Sequence, residues 1–216
     1  MTLLEQTEKV RQNVMNRMPQ PIIENFKNDI QQLRDNKLKE KALQVGNHIP
    51  NAVFTDIEGN DIQLESLLSA DYLILNFYRG GWCPYCNMEL REYERLKTEF
   101  QSYGANILAI SAEVPQLAAQ THEKNEITYT LVTDKNAVFM KEVGILFSIS
   151  EKAKKDYVGF GMDLKKIHGN ENFELPVPAI YVIDKSLKIV FVHIEEDYMT
   201  RLEPTELLKK LKNKQI

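Results

Sequence analysis

The sequence predicts an α/β fold: a central mixed sheet flanked by helices, with a helical extension at the amino end. Three observations carry this. Short apolar runs alternate with amphipathic stretches from residue 72 to residue 143, the βαβα grammar of a sheet covered on both sides. One run, Tyr72-Leu73-Ile74-Leu75-Asn76-Phe77-Tyr78, is apolar on both faces, as a central strand is. Before residue 46 the periodicity is helical only.

Taken in order, residues 2–18 place Leu3, Val10, Val14 and Met18 on one helical face, and residues 22–43 repeat the pattern with Ile22, Ile23, Phe26, Ile30 and Leu33. Pro19-Gln20-Pro21 separates the two helices. Their stripes are expected to dock on the main domain or on a second subunit, so both a monomer and a homodimer stay open. Residues 1–45 are therefore read as an extension and residues 46–216 as the main domain.

From Gly46, Ala52–Thr55 and Asp61–Leu64 read as a hairpin turning at Glu58-Gly59-Asn60, and a helical turn follows at Glu65–Leu68. The strand at 72–78 leads into a helix with Leu90, Tyr93, Leu96 and Phe100 at spacings of three and four, ended by Gly104. Next come a strand at Ile107–Ser111, a helix at Pro115–Lys124, a strand at Thr128–Val132 and a helix at Ala137–Val143. Residues 145–175, broken by Gly159, Gly161 and Gly169, are expected to form a solvated surface insertion. Strands at Ala179–Ile183 and Ile189–Ile194, joined by a turn at Asp184–Leu187, precede a helix with Pro204 in its first turn.

Composition narrows the function. An apolar share of 43% and a charged share of 27% over 216 residues describe a globular chain with a sizeable core. The net charge of −4 comes with no basic stripe, and Lys209, Lys210, Lys212 and Lys214 complement a helix end. Nucleic acid is not an expected partner. The amino end lacks the pattern of a signal peptide, and no apolar run approaches the ~20 residues of a membrane span, so a cytoplasmic protein with no membrane partner is expected.

Chemistry concentrates in Trp82-Cys83-Pro84-Tyr85-Cys86, which holds the only two cysteines of the chain at a strand-to-helix junction. Pro84 suits the first helical position, making Cys83 the N-cap and placing Cys86 one turn in. Helix N-terminal amides stabilise an anion, so a thiol there falls below its free pKa of about 8.5. Cys83 is expected to be the more exposed of the two. The spacing also brings both Cα atoms within disulfide range, giving a two-electron shuttle. Half a zinc site and inert core cysteines are the competing readings. Against zinc, there is no third cysteine, and His48, His122, His168 and His193 stand singly, so neither a metal nor another cofactor is expected. Arg79 is either a surface residue or a cation beside the thiolates, and Trp82 is read as a packing lid over the sulfurs.

Phe77-Tyr78-Arg79-Gly80-Gly81-Trp82-Cys83-Pro84-Tyr85-Cys86, Leu175-Pro176-Val177-Pro178-Ala179 and Asp197-Tyr198-x-x-Arg201-x-Glu203-Pro204 together resemble the AhpC/TSA peroxiredoxin-like family of the thioredoxin superfamily, in a branch with a Cys-Pro-Tyr-Cys site. The resemblance runs from Gly46 to about Leu211, about three quarters of the chain, and implies a thioredoxin-like fold. On the family's Pro-x-x-x-Thr-x-x-Cys pattern the peroxide-attacking cysteine falls on Cys86, the threonine position is Cys83 and the proline position is Arg79. The family's distant arginine falls near Pro178, where thioredoxins carry a cis-proline. Framework and site thus point to different relatives, and Val177–Pro178 is open to either isomer.

The resemblance implies an antioxidant thiol-dependent oxidoreductase that cycles Cys83 and Cys86 between dithiol and disulfide. Its substrates are peroxides or protein disulfides and its electron donor is a thiol reductant such as thioredoxin. Peroxidase chemistry has Cys86 attack and Cys83 resolve; thioredoxin chemistry reverses the roles. The alternative is a non-catalytic redox-sensing or partner-binding module on the same fold, with slow thiols of near-normal pKa.

Overall fold

The computed structural model describes residues 1–216. The extension consists of α1 (Leu3–Arg17), α2 (Gln20–Asp35) and the short α3 (Leu38–Lys41). Thr2 starts α1 with a capping box: its hydroxyl accepts the Glu5 amide at 3.2 Å and the Glu5 carboxylate accepts the Thr2 amide at 2.8 Å. Pro19 and Pro21 bracket the start of α2, as residues lacking an amide donor do.

The main domain runs β1 (Val53–Asp56), β2 (Asp61–Gln63), a single turn of 3₁₀ helix at Leu64–Leu67, β3 (Tyr72–Phe77), α4 (Pro84–Ser102), β4 (Ala105–Ser111), α5 (Pro115–Lys124), β5 (Thr130–Thr133) and α6 (Val138–Val143). It continues with β6 (Leu146–Ser148), α7 (Glu151–Gly159), α8 (Leu164–His168), β7 (Glu174–Pro176), β8 (Ala179–Asp184), β9 (Ile189–Ile194) and α9 (Pro204–Lys212). Seven strands form one mixed sheet in the order β2-β1-β5-β4-β3-β8-β9. β4 lies parallel to β3 and β5 because α4 and α5 supply the crossovers, whereas β8 and β9 pair antiparallel across a tight turn.

Alternation along the central strands splits the core in two. Ile74, Ile107 and Ala109 point to the face covered by α4 and α9, with Tyr93, Phe100, Leu207 and Leu211. Leu73, Leu75, Phe77 and Leu108 point to the other, with Phe54, Phe139 and Tyr181. The extension docks on the main domain and reaches both cores, Leu3 and Ile30 entering the first and Leu33 and Leu38 the second. No helix is long and apolar enough to cross a membrane.

Residues 145–175 depart from the expectation of a solvated loop. They form the β6–β7 ladder and two helices, and Ile149, Ala153, Tyr157, Leu164 and Leu175 bury a small core of their own. The glycines that signalled irregularity mark helix ends instead: Gly169 caps α8 in the left-handed region at φ 66°.

Candidate active site

β3 ends at Phe77 and delivers Tyr78-Arg79-Gly80-Gly81-Trp82 to the start of α4. Cys83 is the N-cap of that helix in extended conformation, Pro84 opens it, and the Asn87 amide closes the first turn on the Cys83 carbonyl at 3.1 Å. The loop is fixed from below by Glu113, at the end of β4. Its carboxylate accepts the Gly81 amide at 2.9 Å, the Thr121 hydroxyl at 3.1 Å and the Tyr78 hydroxyl at 3.4 Å. Gly81 packs so closely that a Cβ there would lie 2.0 Å from Thr121 Oγ1.

Both cysteines are buried, Cys83 at 1% and Cys86 at 0% exposure, so Cys83 is the more accessible of the two only by its place on a cleft. Aromatic and apolar side chains from three segments cover it: Val14, Met18 and Phe26 of the extension, Trp82 itself, and Tyr157, Phe160 and Met162 of the 145–175 segment. They line a cleft of about 130 Å³ that reaches Cys83 but not Cys86. The order of access expected from the motif therefore survives within a closed site. Trp82 lies over this cleft, its ring meeting Tyr157 edge-on at 5.7 Å.

The two thiols differ in acidity. Burial alone raises Cys83, but a hydrogen bond donated by the Cys86 thiol, the charges of Arg79 and Arg201 and the Cys86 amide outweigh it and bring Cys83 down to about 6. Cys86 moves the opposite way, pushed well above the ordinary thiol range by burial, by its hydrogen bond to Cys83 and by the Cys83 charge. At neutral pH the first is a thiolate and the second a thiol.

Arg79 resolves its open reading in favour of the site. It is 3% exposed; its amide donates to Cys86 Sγ at 3.4 Å, and its side chain donates to the Tyr157 hydroxyl. Its guanidinium lies over the rings of Tyr198, Trp82 and Tyr157 at 4.5, 5.2 and 5.8 Å. Pro178 is buried, and the pairing of Ala179 with Phe77 sets it level with Tyr78 at this end of the sheet. There is no cis peptide bond, so the cis isomer found in thioredoxins is absent at Val177–Pro178.

Sequence reasoning missed two residues behind Cys86. Arg201, in the turn before α9, places Nη2 at 3.4 Å from Cys86 Sγ and pairs through Nε with Glu89 at 2.9 Å; both side chains are buried. An arginine thus stands at the dithiol even though the position expected for one holds Pro178. Burial raises Glu89 to about 7, against the pull of Arg201 and with the help of the Cys86 charge. A signal existed for Glu89, three residues after Cys86 on one helical face. Tyr157 was also missed, on a segment read as loop. Of the histidines, none hydrogen bonds a sulfur; His168 is buried and lowered to about 4 by desolvation and by Arg79.

Comparison with known proteins fits this arrangement. The chain is 25% identical over 174 residues to the thiol-disulfide oxidoreductase ResA of Bacillus thuringiensis, covering 80% of this chain and 82% of that protein. It is 28% identical to ResA of Bacillus anthracis, covering 76% and 78%. Among solved structures it resembles peroxidoxin BcpB from Mycobacterium tuberculosis, with TM-score 0.62 and 19% identity over 79% of this chain and 97% of that one. PrxQ from Xylella fastidiosa gives TM-score 0.62 and 17% identity over 81% and 98%, so both share the fold. The family model for AhpC/TSA proteins matches residues 45–192, a span that runs from before β1 into β9 and includes the thiol pair: this chain belongs to the AhpC/TSA family.

Proposed function

We propose that this thiol-dependent oxidoreductase works by thiol-disulfide exchange, with Cys83 as the attacking sulfur and Cys86 as the resolving one. The observation that carries the assignment is the opposed acidity of the pair, a thiolate at the mouth of the cleft and a thiol sealed behind it. The Cys83 thiolate attacks one sulfur of a disulfide and expels the other as a thiolate, leaving a mixed disulfide. Cys86 then loses its proton, and Glu89, paired with the Arg201 that contacts Cys86, is the buried base whose raised pKa of about 7 suits it to take that proton near neutrality. The Arg201 guanidinium, 3.4 Å away, stabilises the Cys86 thiolate as it forms. Attack of Cys86 on Cys83 releases the second thiolate and closes the internal disulfide. A thiol reductant of the thioredoxin kind restores the dithiol.

The relatives named thiol-disulfide oxidoreductase support thiol-disulfide exchange as the reaction class. Peroxide enters the same cycle at Cys83: the thiolate attacks one oxygen, the O–O bond breaks and water or an alcohol leaves once protonated, and Cys86 then displaces water from the sulfenic acid to close the disulfide. Acidity at Cys83 weighs against a non-catalytic module with slow thiols of near-normal pKa. Residues 1–45 act in this reading as an extension that walls the cleft of the 46–216 domain.

The test is trapping with a mixed disulfide. Cys86→Ser is expected to accumulate a substrate adduct on Cys83, seen as added mass on the intact protein, and Cys83→Ser to form none. An adduct on Cys86 in the Cys83→Ser protein, formed at the wild-type rate, reverses the roles.

A further inference from the structure

Arg79 is a buried cation with no carboxylate within ion-pair distance, although Asp29 and Glu196 line a narrow cavity with it on the side away from the sulfurs. None of the chain's ion pairs includes it, and its Nε has no hydrogen-bond partner. Asp29 of α2 feels its charge, but it lies beyond ion-pair distance and accepts the Ser150 hydroxyl at 3.2 Å. The aromatic faces of Tyr198, Trp82 and Tyr157 supply partial negative charge, not a full anion. Arg201 shows how this chain treats an equally buried guanidinium when it needs a permanent partner: Glu89 sits 2.9 Å from it. A buried charge left unpaired is costly, and the anion within reach of Arg79 is the Cys83 thiolate, which lines the same cleft.

Closing the disulfide removes that anion. Two electrons pass from the cysteines to a substrate disulfide, with the proton Cys83 has already released and the proton of Cys86, and the substrate leaves as two thiols. Arg79 then faces neutral sulfur at the base of an apolar cleft.

The geometry points to a redox-gated carboxylate site: in the disulfide form the cleft takes a small monocarboxylate, its charge on Arg79 and its apolar body against Val14, Met18, Phe26, Trp82 and Met162. This rests on the reading of Cys83 as the thiolate of the pair. Size sets the body of the ligand, since about 130 Å³ is close to the volume of roughly 150 Å³ that admits benzene in an apolar cavity. Charge sets its head, because one guanidinium fork matches one carboxylate. Two sources share that chemistry, a free short-chain acid and a thiol reductant that carries a carboxylate.

Trp82 is the only tryptophan of the chain and borders Arg79, so its fluorescence reports on the site. Butanoate is titrated into the reduced protein, into the disulfide form verified by the loss of two hydrogens in intact mass, and into Cys83→Ser kept reduced. The disulfide form and Cys83→Ser are expected to bind butanoate at least about tenfold more tightly than the reduced wild type. Butanamide is expected to bind none of them, and Arg79→Gln to lose the response. Reduction of the disulfide that runs faster with 3-mercaptopropanoate than with 3-mercaptopropanol, compared per thiolate, assigns the site to a thiol acid; equal rates assign it to a free acid. Equal butanoate affinity in both redox forms, binding of butanamide as strong as that of butanoate, or no binding to either thiolate-free form overturns the proposal. Should the pair refuse to oxidise, the reading of the dithiol falls, and Cys83→Ser still judges the site by itself.

Discussion

Arg201 meets the sulfur of Cys86 at 3.4 Å although 115 residues separate the two in the chain. Arg201 is the guanidinium in contact with the inner thiol, and its charge also joins that of Arg79 in lowering Cys83. It makes the second half of the reaction as much a matter of electrostatics as the first.

Alkylation by iodoacetamide should divide the cysteines by pH. The Cys83 rate is expected to rise through a midpoint near 6 and level off above it, while Cys86 stays unlabelled at neutral pH; peptide masses identify the modified residue. Arg79→Gln is expected to move the Cys83 midpoint up by about 1 unit, since a nearby cation favours the thiolate. An unchanged midpoint removes Arg79 from the electrostatics of the site.

Glu89→Gln keeps the shape of the side chain and removes the proton acceptor. Release of the mixed disulfide is expected to slow by roughly 10²-fold at pH 7, with the first attack by Cys83 unaffected. Stopped-flow kinetics with a chromogenic disulfide separates the two phases. A loss confined to the first phase contradicts the proton transfer to Glu89.

The same carboxyl gives stability a pH dependence. Its folded pKa, about 7, lies above the ordinary value of 4.5, so the native state binds the proton more tightly than the unfolded chain does. The contribution is fully present below about 4.5 and is lost as pH rises to 7. Urea unfolding of wild type and Glu89→Gln across that window is expected to show the slope flattened in the variant. Arg201→Met removes the cation that holds this pKa down, so the window over which the carboxyl ionises is expected to move to higher pH.

Gly81→Ala drives a methyl into Thr121 Oγ1 and strains the loop that carries the thiols. A loss of about 1–3 kcal/mol is expected by denaturant unfolding. Adding Thr121→Ala removes the clashing hydroxyl and should recover part of it. Full stability in the single variant shows that the loop yields there.

Phe160 rims the cleft and is 44% exposed, so its removal costs little stability. Phe160→Ala is expected to speed reaction with a bulky aromatic disulfide by several-fold, about 1 kcal/mol of barrier, and to leave the rate with hydrogen peroxide unchanged. Equal changes for both oxidants deny the rim a steric role.

What the sequence disclosed is what lies close in the chain. The start of α4, the N-cap at Cys83, Pro84 in the first turn and the double-faced strand before them are local patterns, and each is found in the fold. β5 begins two residues later than its apolar run because Thr128 is engaged elsewhere, its amide and hydroxyl both donating to the Glu94 carboxylate. Arg201 left no local trace of its role: it reaches Cys86 only because β8, β9 and the turn before α9 carry the chain back over α4. Tyr157 was hidden by the glycines around it, which close helices where they were read as breaking them. Pro178 was legible as a strand start; its isomer was not, because no residue beside it decides between trans and cis.

The first helix is fastened by the last. Glu203 accepts the Leu4 amide at 3.2 Å across 199 residues, and Val14 of that same α1, with Met18 just past its end, helps to roof Cys83. α1 rests on α4 as well, where Gln6 donates to Glu92 at 2.8 Å, so its hold on the chain combines a contact at residue 92 with one at residue 203. The roof over the reactive sulfur is thus tied to both ends of the chain, and loosening either end is expected to loosen it.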